Sequence, residues 1–169
     1  IADFDRFADE NSNRVIGATK SNRGRNKAET LLEQIMDLPN APDVEIYTDG
    51  VTEDNVEAFL HGADLLVDET DVLSPQVGTL LSRETRGKIH TMTVMNILFA
   101  GVGTSFHHSR GMNYEQMLGI PEGMPLDEVK EQKIPLSRYI PYIPVYGDLD
   151  TCVNSLYYHI RKSVILKQH

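Results

Sequence analysis

The chain has 169 residues, 40% hydrophobic and 24% charged, with 16 Lys and Arg against 25 Asp and Glu. That length fills one domain with its own core, and the apolar content excludes a disordered or low-complexity chain. The formal charge of −9 excludes a general nucleic-acid or anionic-membrane binder, which needs a basic face, and no apolar run is long enough to cross a bilayer.

In chain order, Ile1 to Phe4 is short and apolar-biased, like a strand that delivers Asp3 and Asp5 at its C-terminal end. From Asn22 to about Asp37, Ala28, Leu31, Leu32, Ile35 and Met36 follow a helical period, which Pro39 closes. Val44 to Thr48 alternates like a strand and stops at Asp49-Gly50. Thr52 then opens a helix through Val56, Phe59 and Leu60, with Gly62 just past its end. Leu65-Leu66-Val67 between Asp64 and Asp68 predicts a strand covered on both faces. Ser74 and Pro75 start a helix through Val77, Leu80 and Leu81 that stops at Gly87, and Ile89 to Met95 is again a buried-strand run.

Strands alternating with helices at this spacing predict an α/β, doubly wound, mainly parallel Rossmann-like sheet with helices on both faces. Phe99 to His108 predicts one further strand, paired antiparallel as an extension of that sheet. Residues 111–148 hold five of the eight prolines, with Tyr139, Tyr142 and Tyr146 interleaved, and predict an irregular covering arm. Leu149, Val153, Leu156, Tyr157, Ile160 and Val164 mark an amphipathic C-terminal helix. The expected layout is a core over 1–108, an arm over 109–148 and a terminal helix over 149–169, all in one domain.

In an open parallel sheet, ligands bind at the C-terminal strand ends. Polar residues stand there three times: Asp3 with Asp5, Asp68 with Asp71, and Asn96. An acid at the end of the second strand of a nucleotide-binding unit accepts hydrogen bonds from a ribose diol, which suits Asp3. The plainer alternative is an acid that merely terminates a strand. Charge distribution says more than net charge. From Arg14 to Lys27 there are five cations (Arg14, Lys20, Arg23, Arg25, Lys27) and no acid, among Gly17, Ser21, Asn22, Gly24 and Asn26. That composition suits a phosphate-binding loop leading into a helix N-terminus, and a solvated loop is the alternative. Asp68 and Asp71 are the hard carboxylates that Mg²⁺ takes, or else Asp71 simply helps to start the Ser74 helix.

The remaining candidates are weaker. His107 and His108, read as neighbours in a strand, point to opposite faces and are not expected to share a metal. Gly101-Val102-Gly103 lies inside a strand with no helix after it, so it is no dinucleotide fingerprint. Cys152, the only cysteine, excludes an intramolecular disulfide and a paired-thiolate zinc site, so no zinc is expected. No neighbouring base is identifiable that would make Cys152 a nucleophile. The first residues carry neither the basic end nor the apolar stretch of a signal peptide, and a reduced, cytoplasmic setting is expected.

Ile1-Ala2-Asp3-Phe4-Asp5, Asn11-Ser12-Asn13-Arg14, Gly17, Gly24 with Lys27, and Val67-Asp68-Glu69-Thr70-Asp71 form an ordered, spaced set. Over residues 1 to about 108 this set resembles the ThiF/MoeB adenylyltransferases, the family that includes the ubiquitin-activating enzymes. The stretch from Met112 through Pro144 is similar to the C-terminal region of certain bacterial ThiF-type proteins. The resemblance implies an enzyme that binds ATP with Mg²⁺ and activates a carboxylate as its acyl-adenylate. The acceptor would be the C-terminus of a ubiquitin-like sulfur carrier, or a small-molecule or tRNA-nucleoside acid. By resemblance Asp3, with Asp5 beside it, serves the ribose end of the nucleotide. Asn11 and Arg14 would contact phosphates, Lys27 would neutralise charge between the α- and β-phosphates, and Asp71 would serve the metal. A homodimer is also implied.

The sequence departs from the family in several places. The Gly-rich ATP loop precedes the family's second strand, where this chain opens, so the adenylating reading needs that loop upstream. Val15 stands where a Gln usually follows the phosphate Arg, and Val72 where an Asn follows the metal Asp. Paired Cys-x-x-Cys motifs are absent. The alternative is therefore a non-catalytic, adenylation-like domain that serves as a dimer partner or scaffold. A nicotinamide-dependent dehydrogenase on the same layout is disfavoured by the basic block.

Overall fold

Asn26 begins the first helix, α1 (Lys27–Met36), by accepting the Glu29 N–H on its side-chain oxygen at 3.1 Å. This computed structural model describes residues 1–71, 73–97 and 100–139, which fall into two units, Ile1–His61 and the residues from Gly62 onward. The expected C-terminal helix, Cys152, Tyr142, Tyr146 and Val72 lie outside the described residues.

In the first unit, α1 follows a 3₁₀ turn at Lys20–Asn22, so the helix starts five residues later than its apolar period suggests. Its buried face carries Ala28 and Thr30, beside Phe7 from the preceding loop among the buried residues of this unit. The second helix, α2 (Val56–Leu60), buries Val56 and Leu60, and Phe59 stands edge-on to Tyr47 at 5.4 Å. Asn55, rather than Thr52, flanks its start, and the Asn55 side chain accepts the Thr52 N–H at 2.8 Å. The two strands expected at Ile1–Phe4 and Val44–Thr48 are reduced to one parallel bridge, Ala2 with Tyr47. Each has a single short partner instead of a ladder.

The second unit holds the sheet. β1 (Leu65–Asp68) pairs in parallel with β2 (His90–Ile97), and α3 (Pro75–Thr85) is the crossover between them. Pro75 occupies the first turn of α3, where a missing N–H costs nothing, although the Ser74 side chain makes no capping bond. β3 (Ala100–Phe106) pairs antiparallel with β2, as expected, so the sheet is mixed with the order β1-β2-β3. Contrary to expectation, β1 is covered on one face only: Leu66 and Asp68 are buried, while Leu65 and Val67 are exposed.

The described part of the proline-rich arm carries some short helical turns joined by irregular chain. It forms three short helices, α4 (Tyr114–Leu118), α5 (Leu126–Lys130) and α6 (Leu136–Tyr139). Asn113 and Gln116 cap α4 reciprocally, at 2.9 and 3.1 Å, and Gly119 ends it in the left-handed region (φ +76°) that favours glycine. α3 packs against α4 and α5, with Leu80, Leu81, Leu118, Ile120 and Val129 buried in this unit's core.

Candidate functional site

The residues expected to hold a nucleotide fall in the first unit, and those expected to hold its metal in the second. Asp5 and Lys27 meet: the Lys27 Nζ lies 2.7 Å from Asp5 Oδ2, and the Lys27 N–H donates to the Asp5 carbonyl at 2.9 Å. Lys27 is the first residue of α1, where the Lys27 and Glu29 N–H groups are taken up by the Asp5 carbonyl and the Asn26 side chain. Asp3 is held close by. One of its carboxylate oxygens accepts the Asp5 N–H at 2.8 Å, and its carbonyl accepts from the Asn26 side chain at 2.8 Å.

Asn26 is the buried polar residue on which these segments converge. Its Nδ2 donates to Asp3 and to the Thr48 carbonyl (3.2 Å), while its Oδ1 caps α1. The sequence reading placed it among several loop donors and missed this role. Its signal was an Asn immediately before the helical period, the usual capping position.

The basic segment is partly neutralised from within. Arg23 pairs with Asp9 at 3.0 Å and Arg25 pairs with Glu33. The Arg25 contact holds the Glu33 carboxyl below its ordinary range, chiefly by hydrogen bonding. Arg14 and Lys20 form no ion pair among the described residues. Arg14 is exposed and donates to the Glu10 carbonyl at 2.5 Å and to Asn13 Oδ1 at 3.2 Å. Asn11 is buried, with its Oδ1 accepting the Ala8 N–H at 2.9 Å, so the group it could offer a ligand is its amide Nδ2.

In the second unit Asp71 is exposed, with Oδ1 accepting the Leu73 N–H at 3.0 Å. An exposed hard carboxylate fits a Mg²⁺ ion that keeps most of its waters. Asp68 is buried instead, and its Oδ1 accepts both the Thr70 N–H (2.9 Å) and hydroxyl (2.7 Å). It lines a cavity of about 300 Å³ between the sheet and α3, together with Thr91, Thr93 and Tyr114. Behind that cavity lies a group invisible in the sequence: the buried Glu115 carboxylate accepts from Arg83 at 2.7 Å and from Arg86 at 2.9 Å. Arg83 also donates to the Met124 carbonyl at 2.7 Å, tying the chain before α5 to α3.

The parallel β1–α3–β2 crossover, with carboxylates at the strand end, defines an α/β protein of Rossmann-like type. Over residues 1–135 the chain matches the ThiF family, and it belongs to that family, within the adenylyltransferase superfamily. No curated protein and no solved structure matches it. No helix among the described residues is long and apolar enough to cross a membrane.

Proposed function

We propose that the protein acts as a ThiF-type adenylyltransferase, activating a carboxylate at the expense of ATP. The carboxylate oxygen attacks the α-phosphorus, the bond to the bridging oxygen breaks, and pyrophosphate leaves. Such a reaction needs positioned cations more than covalent chemistry. The observation that carries the reading is Lys27, an ammonium fixed at the start of α1 by Asp5. In this reading Lys27 meets the charge that develops between the α- and β-phosphates, Arg14 and Asn11 hold phosphate oxygens, and Asp3 takes the ribose hydroxyls. Asp71 holds the Mg²⁺, which when bound would neutralise phosphate charge. The acceptor is the C-terminus of a ubiquitin-like carrier, or a small-molecule or tRNA-nucleoside acid, and the working form is a homodimer.

A second reading has its own support. Arg23, Arg25 and Lys27 each already have a carboxylate partner, as they would in a domain that keeps the architecture without the chemistry and serves as a dimer partner or scaffold. Calorimetry with ATP, with and without Mg²⁺, together with ATP–pyrophosphate exchange on the full-length protein, separates the two. Magnesium-dependent binding with exchange supports the enzyme, and absence of both supports the scaffold.

A further inference from the structure

We propose that His90, His107 and His108 form a binding site for a divalent transition-metal ion, with zinc(II) as the prototype. The site follows from strand register. Thr91 and Phe106 are the last paired residues of β2 and β3, so His90 lies opposite His107, one step beyond the ladder. Beyond Phe106 the chain leaves the sheet, and the alternation that would send His107 and His108 to opposite faces no longer applies. The two rings stack at 4.8 Å and 22°, and His90 stands edge-on to both, at 4.5 and 4.7 Å.

One ring nitrogen from each histidine lies within 4.8 Å of the other two. Around a tetrahedral ion with bonds of about 2.0–2.1 Å, two ligand nitrogens stand about 3.4 Å apart. Side-chain rotation can close the difference, because His90 and His107 are exposed. The donor set is three imidazoles, which suits zinc, nickel, cobalt or copper and not the oxygen-seeking Mg²⁺. A lone cysteine excludes a paired-thiolate site, but imidazoles need no thiol.

One further observation favours a ligand here. The Nδ1 of His108 is buried and has no hydrogen-bond partner among the described residues, a cost that a metal bond or a bridging ligand removes. His107 Nδ1 accepts the Ser109 N–H at 3.2 Å, with the Ser109 hydroxyl also 3.2 Å away, so the ring is held in place by its neighbour. His107 and His108 line the 300 Å³ cavity with Arg86 and Arg110, leaving room for an exchangeable fourth ligand such as water or a small anion. His90 is level with Leu65 at the start of β1, so the cluster stands at the opposite end of the strand from Asp68. The inference does not rest on the adenylation reading.

The test is titration of the full-length protein with Co²⁺, followed by the visible absorption of a tetrahedral site, and with Zn²⁺ by calorimetry in a non-chelating buffer. One equivalent is expected to bind, with no competition from excess Mg²⁺. His107→Gln and His90→Gln should each weaken binding by more than the about 10–100-fold that loss of an orienting partner costs. His61→Gln, in the other unit, should leave binding unchanged. Far-ultraviolet circular dichroism without metal checks that each variant is folded, and the exposed position of His107 makes its variant the one to rely on. Absence of binding, or equal binding by the wild type and His107→Gln, would overturn the proposal.

Discussion

The Lys27 ammonium and the Asp5 carboxylate lie 2.7 Å apart, and the same two residues are joined again through their backbones. The backbone bond sets the start of α1 against the N-terminal segment. The side-chain pair then holds the cation at the helix mouth instead of letting it sweep through solvent. Asp5 is half exposed, so the ion pair contributes at most about 1 kcal/mol to stability.

Function and stability should therefore separate at Lys27. Lys27→Ala is expected to abolish ATP–pyrophosphate exchange while lowering the unfolding free energy measured in urea by less than about 1 kcal/mol. Arg14→Ala, which removes an exposed guanidinium with only local partners, should chiefly raise the KM for ATP. Full exchange in Lys27→Ala would refute the assigned role.

Asn26 is expected to behave in the opposite way, as a residue of structure. Asn26→Ala removes a helix cap and two bonds to carbonyls and should cost about 2–3 kcal/mol in urea unfolding. Asn26→Asp retains the cap but sets a carboxylate against the Asp3 and Thr48 carbonyls. It should be no more stable than the alanine variant, whereas a pure capping role predicts wild-type stability.

Much of this was legible in the chain because the signals were local. Pro75 and the Leu80–Leu81 pair mark α3, and the apolar runs at 65–67 and 89–95 mark the parallel pair. What escaped depends on partners distant in sequence. Val44–Thr48 alternates like a strand, yet strand status needs a ladder, and only Tyr47 has a bridge. Glu115 looks like an ordinary first-turn acid until Arg83 and Arg86, 32 and 29 residues away, close on it. The histidine cluster needed the β2–β3 register, which no single segment carries. The Asn113/Gln116 capping box was the exception, a local signal masked by the surrounding prolines.

Glu115 is almost wholly buried, and both of its carboxylate oxygens are used by arginines. Glu115→Ala removes the acceptor the two guanidinium groups share, leaving Arg83 with the Met124 carbonyl and Arg86 with Glu122, and should cost about 2–3 kcal/mol. Glu115→Gln, which keeps the shape and one acceptor, should cost less. Urea unfolding at unchanged m-value reads both, and equal, small effects would show that Arg83 finds sufficient compensation at Met124.

Tyr114 supplies a pH dependence. Its ring is buried against Gly78, where an added Cβ would stand 2.6 Å from the hydroxyl, so glycine is what allows this approach. Burial, then the neighbouring Tyr139 and Asp68, push the Tyr114 pKa far above its ordinary value. The neutral phenol is therefore the form that the fold accepts, while the unfolded chain ionises near pH 10. With the folded pKa the higher, the unfolded chain releases its proton first, so stability is complete below about pH 10 and falls as pH rises above it. Tyr139, also raised by burial, adds in the same direction. Tyr114→Phe keeps the ring and removes the titrating group, so its stability should fall less steeply than that of the wild type between about pH 9 and 11. Urea unfolding across that range is the measurement, and identical slopes would mean that Tyr114 ionises normally in the folded protein.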